Sequence, residues 1–187
     1  MFRDICVLIV IALLGSTATS AKLPSWGRGQ QLVRVVTADW NANNGELQRF
    51  EHSASGWHAV GSPVQVSIGR NGSAWGLGLH PQQAGMQKAE GDGRSPAGIF
   101  KIGSAFGYAP TLTSKLDYLA LQSEHYCVDV ANSPLYNRIV DTRKVGAAAI
   151  EGSTEPMRRD LHVQGDQLYR LGFVIEHNRH QIGRAHV

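Results

Sequence analysis

From Gln31 onward, short apolar stretches alternate with turn residues. Gln31-Leu-Val-Arg-Val-Val36 reads as a strand, and Asn41-Ala-Asn-Asn-Gly45 as a turn of the Asn-Gly kind. Glu46-Leu-Gln-Arg-Phe-Glu-His52 alternates with period two, as a half-buried strand does. Ser53 to Gly56 turns again, and Trp57–Val60 and Val64–Ile68 read as two more strands around Gly61-Ser-Pro63. Together these predict an antiparallel meander. Residues 69–98 are rich in Gly and Pro without a period of their own, the mark of a functional or unstructured stretch. Trp75, Leu77 and Leu79 within it favour an ordered loop. Ile99–Ile102 reads as a short strand, 104–121 has no dominant period, and Cys127–Val130 and Ile139–Val140 are short apolar pieces. Glu155 to Gly165 holds a helical turn, and Leu168–Glu176 reads as a buried strand running towards His177. There is no internal repeat and no low-complexity tract. The predicted class is mainly β with minor helix.

The N-terminus has a different pattern. Arg3 stands beside the amino terminus, ten apolar residues follow from Ile5 to Leu14, and small residues run from Gly15 to Ala21. That layout fits a secretory signal peptide over 1–21, cleaved after Ser20 or Ala21. The apolar run is too short to span a bilayer comfortably. A membrane anchor or a buried strand is the alternative. The small residues are not followed by Cys, which argues against a lipoprotein anchor. Residues 22–30, with Pro24, Gly27 and Gly29, read as a flexible lead-in.

Composition narrows the function classes. At 187 residues, 42% hydrophobic and 18% charged, the chain holds about one domain and is neither disordered nor coiled coil. The formal charge is +3, and removing Arg3 and Asp4 together leaves it unchanged. The basic residues are spread thinly, which argues against nucleic acid as a partner and for mild affinity to an anionic polymer or envelope surface. Once Cys6 leaves with the leader, Cys127 is alone and makes no internal disulfide. It is then a buried small hydrophobe, an intermolecular partner or a reactive thiol.

Three constellations bear on chemistry. Lys88-Ala-Glu-Gly-Asp-Gly-Arg-Ser-Pro-Ala-Gly98 sets charges of mixed sign in a Gly frame, but no Gly-Lys-Ser/Thr makes it a phosphate loop. Read blandly, it is a solvated hairpin loop. Cys127-Val-Asp-Val-Ala-Asn-Ser-Pro-Leu-Tyr-Asn-Arg138 contains a turn at Asn132-Ser-Pro134, and Arg138 has the planar fork that clamps carboxylates. A structural loop tied by Tyr136, Asn137 and Arg138 is its competitor. Among the histidines, His177 and His180 sit three apart, and a zinc site would need Cys127 or His125 as a further ligand. No spacing fixes that geometry, so no metal is assigned. A pair of Cys127 with a nearby His is the other option.

Taken together, several stretches resemble the YkuD-type L,D-transpeptidase family. They are Val36–Trp40, Leu47–Phe50, Val66–Gly72, Ala74–His80, Glu90–Phe100, Ala105–Tyr108, Cys127–Val130, Ser133–Arg138 and Leu168–Asn178. The most specific are Glu90-Gly-Asp-Gly to Ala97-Gly98 and Tyr136-Asn-Arg138, and the whole covers about 31–178. The resemblance implies an exported, β-rich, cofactor-free enzyme of the cell wall. Its Cys thiolate attacks a peptidoglycan stem peptide, the terminal D-residue leaves, and an amine or water resolves the thioester. A His activates the thiol and backbone N–H groups hold the oxyanion. Peptidoglycan stem peptides are the implied partners, and Arg94 and Arg138 are the candidates for binding their carboxylates.

The chain departs from the family where catalysis would sit. The family's His and Cys follow a strand like 168–176, on a segment with a Leu-His and then a Gly-Cys. No Gly-Cys occurs in this sequence, and Cys127 matches a different family position. No catalytic residue is therefore assigned. Ile182-Gly-Arg-Ala-His-Val187 is the translation of ATC GGA AGA GCA CAC GTC, one frame of a common sequencing adapter. The expectation is a partial L,D-transpeptidase-like domain over 31–181, lacking its C-terminal part, with 182–187 as artefact. A genuine short C-terminus is the alternative to that. For function, the alternatives are a catalytically inactive peptidoglycan-binding envelope protein and an unrelated metal-binding secreted domain.

Overall fold

The structure, a computed structural model, describes residues 31–177 in full and Ile5–Ile11 as backbone. The predicted cleavage region, the lead-in at 22–30, the tail at 182–187, and His180 and His186 lie outside the described residues. Among the described residues strand makes up 42% and helix 8%, the expected mainly β class with minor helix. The described chain divides into two compact units, one of residues up to 102 together with Ile175–His177, the other of residues 103–174.

In the first unit the meander forms as predicted. β1 (Ile5–Ile11), β2 (Gln31–Thr37), β3 (Asn44–Ser53), β4 (Gly56–Ser67), β5 (Ser73–Trp75) and the first half of β6 (Ser95–Gly107) make one sheet in the order β6-β1-β2-β3-β4, with β5 beside β6. Leu32 and Ile99 form one buried cluster, with Phe50 and Trp57 packed against it. Val35 and Ala97 form a second, flanked by Trp40, Leu47, Trp75 and Ile102.

Two strand assignments change. Trp57–Val60 and Val64–Ile68 are not separate strands: β4 runs unbroken past Pro63. Its register against β3 jumps from Leu47↔Val64 to Arg49↔Val60, so the extra residues are carried as a bulge. Gly61 takes φ 67° there, and the Gln48 side-chain amide donates to the carbonyls of Val60 (3.2 Å) and Gly61 (3.2 Å). Pro63 is tolerated because β4 is an edge strand, where a missing N–H costs no ladder bond. The short strand at Ile99–Ile102 is in fact part of the 13-residue β6.

In the second unit, β7 (Tyr118–Ala120) pairs in parallel with Ala105–Gly107 of β6. A separate small sheet has the order β10-β8-β9, from Glu155–Pro156, His125–Cys127 and Ile139–Asp141. The core here is Ala105, Leu121, Val128, Val140 and Met157. α1 (Thr142–Val145) starts where the Asp141 side chain accepts the Arg143 N–H at 3.0 Å, and a 3-10 turn follows at Ala147–Ile150. The helical turn expected within Glu155–Gly165 is α2 (Arg159–His162). β11 is shorter than expected, Leu171–Ile175, because Tyr169 sits at φ 66° and turns the chain. Nor is it a buried strand: Leu171 is 64% and Phe173 43% exposed. Among the described residues no helix is long and apolar enough to cross a membrane.

Candidate functional site

The second unit contains a cleft of about 370 Å³. Phe106 of β6, Leu119 of β7, Ile139 of β9 and Val174 of β11 give it apolar walls; Ser104, Tyr136, Asn137 and Arg138 supply polar groups. This mix of apolar lining with a few convergent polar groups is the usual make-up of a small-ligand site.

The loop carrying three of those polar groups is fixed by its backbone. Val128, fully buried, donates to the Arg138 carbonyl (3.0 Å), and its own carbonyl accepts the Asn137 N–H (2.8 Å). The Arg138 N–H closes a turn on Leu135 O at 3.0 Å. This geometry puts Asn137 at φ 58°, a left-handed conformation that Asn tolerates better than most residues. Asn137→Ala is therefore expected to cost about 1 kcal/mol and Asn137→Gly close to nothing. Urea unfolding of the two variants checks this, and equal midpoints would contradict it.

Arg138 differs from its neighbours in how its charge is used. Arg143 pairs with Asp141 (2.8 Å), Arg158 with Asp160 (2.8 Å) and Arg159 with Asp166 (2.7 Å). The Arg143 guanidinium holds the Asp141 carboxyl down at about 2, and Arg158 likewise lowers Asp160. The exposed Arg138 guanidinium has no hydrogen bond or ion pair among the described residues.

Arg94, the other candidate for carboxylates, sits in the first unit and is bonded internally. Its guanidinium donates to the carbonyls of Trp40 and Ser73, each at 3.0 Å, and to Asn41 Oδ1 at 2.9 Å. It ties the start of β5 to the turn after β2. The loop before it is not a solvated hairpin but a closed staple. The Lys88 ammonium, 4% exposed, donates to Asp92 Oδ1 (2.7 Å) and to Ala89 O (2.7 Å). Asp92 also accepts the N–H groups of Ala89 (2.8 Å) and Arg94 (2.8 Å). Burial works against the Asp92 carboxylate, yet these donors win and hold its pKa below the ordinary value.

Cys127 is half-buried on β8. Burial first, then the charges of Glu155 and Asp129, push its thiol up to about 12. Glu155, opposite Cys127 in the small sheet, has its own carboxyl raised by burial and by Asp129. The Tyr169 phenol is pushed up to about 12, chiefly by burial and then by the charge of Glu155. A nucleophilic cysteine needs the opposite environment, electropositive and accessible. Sequence reasoning singles out Cys127 but not Glu155, which is set opposite it by the pairing of β10 with β8, nor Tyr169.

His80, His125 and His177 make hydrogen bonds to backbone groups. His125 is buried, accepts the Gln122 N–H on Nδ1 at 2.8 Å, and has its pKa lowered by burial. His177 Nδ1 accepts the Leu77 N–H at 3.0 Å. His80 Nδ1 faces Pro81 O at 2.9 Å, with its ring against Trp75 and Phe100. Among the described residues no three of His, Cys, Asp and Glu gather in a metal-binding group.

Comparison with family models, with curated proteins and with solved structures gives no match.

Proposed function

We propose that the cleft at Arg138 binds a carboxylate-bearing peptide, and that residues 31–177 are the substrate-holding part of an exported L,D-transpeptidase-type domain acting on peptidoglycan stems. The observation that carries this is an arginine without an acidic partner among the described residues, at a cleft with apolar walls, in a unit where three other arginines are ion-paired. A stem peptide offers both complements: carboxylates for the guanidinium fork and alkyl side chains for Phe106, Leu119, Ile139 and Val174. The same stretch, Tyr136-Asn-Arg138, is among the most family-like in the sequence.

In this reading Cys127 is not the nucleophile, since a thiol held near 12 gives almost no thiolate at neutral pH. In the family the reacting Cys and its His lie on a segment that follows a strand like 168–176, and no residue of this sequence matches that Cys. There the thiolate adds to the stem carbonyl, the carbonyl–nitrogen bond breaks, and the amine of the D-residue leaves with a proton. An incoming amine or water then cleaves the thioester and regenerates the thiol. The second reading, an envelope protein that binds stems without acyl transfer, is favoured by the absence of an activated thiol among the described residues.

Titrating a tetrapeptide stem into the protein and into Arg138→Ala tests the binding claim. The loss of a charge-assisted contact should weaken binding about 10–100-fold, from 1.5–3 kcal/mol, with the melting temperature unchanged. Equal affinities in the two proteins remove Arg138 from the site. Genomic sequence past the codon for Gln181 separates the enzyme from the inactive binder: a Leu-His followed by a Gly-Cys supports the first, and a genuine stop supports the second.

A further inference from the structure

The seven residues of β1 are the heart of the predicted leader, and they are also the strand between β2 and β6. All seven pair in parallel with β2, from Ile5↔Gln31 to Ile11↔Thr37. Four pair antiparallel with β6, from Cys6↔Lys101 to Ile9↔Gly98. With β1 between them, β2 and β6 stand two strand spacings apart, about 9–10 Å. Neither can reach the other across that distance. Removal of the leader therefore leaves two facing rows of backbone N–H and C=O groups without partners, at the centre of the sheet and not at its rim. Such groups cannot stay buried and unpaired. The surroundings are apolar: Leu32 and Val35 on one wall, Ile99 and Phe100 on the other, all buried. An unbroken apolar run such as Ile5-Cys-Val-Leu-Ile-Val-Ile11 suits a strand covered on both faces.

We propose that the gap between β2 and β6 is a strand-acceptor site. The uncleaved leader fills it, and cleavage opens it to an extended apolar segment of polypeptide running parallel to β2 and antiparallel to β6. Recognition is by main-chain hydrogen bonding on both sides, with apolar side chains above and below, a two-sided form of strand addition. The vacancy rests on the leader part of the proposed function, while the acceptor property is a matter of the sheet alone.

The full chain tests this. A protease site is placed within residues 23–28, the chain is folded, cut, and freed of the leader piece, and amide exchange is followed. In the uncut chain the amides of β2 and of Gly98–Lys101 that face β1 should exchange slowly. After removal they should exchange about 100-fold faster, while those between β3 and β4 stay protected. A synthetic peptide of Ile5–Ile11 flanked by lysines should restore slow exchange. Should the freed chain unfold altogether, restoration by the peptide still supports the site, and failure of the peptide overturns it. Closure of β2 directly onto β6, seen as unchanged protection without peptide, also overturns it. In the uncut chain Leu8→Pro should speed exchange in both neighbours where Leu8→Ala does not; equal effects count against the pairing. Whether cells cleave the leader is read separately, by N-terminal sequencing of the exported protein. Failure there sinks the export reading and leaves the acceptor measurement standing.

Discussion

Asp92→Ala is expected to destabilise the first unit by about 3 kcal/mol, among the larger single-site effects in this protein. The reason is what the change leaves behind. Lys88 is almost fully buried, and its ammonium would lose the carboxylate oxygen 2.7 Å away while keeping only the Ala89 carbonyl. The N–H groups of Ala89 and Arg94 would lose their acceptor at the same time. A buried charge without its partner costs more than the intact pair contributes. Asp92→Asn keeps an acceptor and should cost less, and Lys88→Met combined with Asp92→Asn should recover part of the loss. The pH dependence has a definite sign. The folded pKa of Asp92 lies below its unfolded value near 3.9, so its contribution is complete above about pH 4. It is lost as the pH falls further, through the folded pKa. The stability difference between the protein and Asp92→Asn should stay constant from pH 7 to about 5 and shrink below about 4. A difference that is flat down to pH 2 would mean that the carboxylate charge plays no part in the staple.

How much of this was legible in the sequence depends on how local the cause is. The meander was readable because alternation at 46–52 and the Asn-Gly turn are local signals. The break seen at Gly61-Ser-Pro63 was not a break, because the Gln48 amide bridges the bulge from the opposite strand, a partner twelve or thirteen residues away. Residues 69–98 read as an ordered loop, but the short strand β5 depends on pairing with residues 95–97, and the anchoring of Arg94 on residues 40–41, partners too distant in sequence for a local pattern to show. At 168–176 the apolar pattern was read as burial, while in the fold Leu171 and Phe173 face out.

The candidate site was legible to a similar degree. Tyr136-Asn-Arg138 stands out through the family resemblance, composition alone favouring a structural loop, and the fold sets all three on the cleft. Its apolar walls did not stand out, since Phe106, Leu119, Ile139 and Val174 come from four strands spread over nearly seventy residues. Arg94 and Arg138 looked alike on paper. What separates them is the set of acceptors around Arg94, supplied by Trp40, Asn41 and Ser73, distant in sequence.

The glycines of Ala74-Trp-Gly-Leu-Gly-Leu-His80 have their explanation in one buried ring, which leads to the second large effect. Phe100 is fully buried, with His80 and His177 meeting it edge-on at centroid distances of 6.2 and 5.7 Å. The Gly-rich loop passes so close that a Cβ at Gly76 would lie 2.9 Å from Phe100 Cζ, and one at Gly78 would lie 2.9 Å from Cδ1 and 2.1 Å from Ile99 O. The loop is thus moulded on the ring, and its order derives from it. Phe100→Ala should cost about 3–5 kcal/mol, transfer and cavity terms together, because a backbone already hydrogen-bonded to β6 cannot collapse into the space. Gly76 N–H donates to Ala97 O at 2.8 Å and Leu79 N–H to Ile99 O at 2.7 Å, which pins both sides of the hole. Phe100→Leu fills more of the volume and should cost distinctly less. Urea unfolding with an unchanged m-value gives the numbers, and exchange at the Gly76 and Leu79 amides reports on the loop itself. A loss under about 1 kcal/mol, with those amides still protected, would show that the loop holds its shape without the ring it encloses.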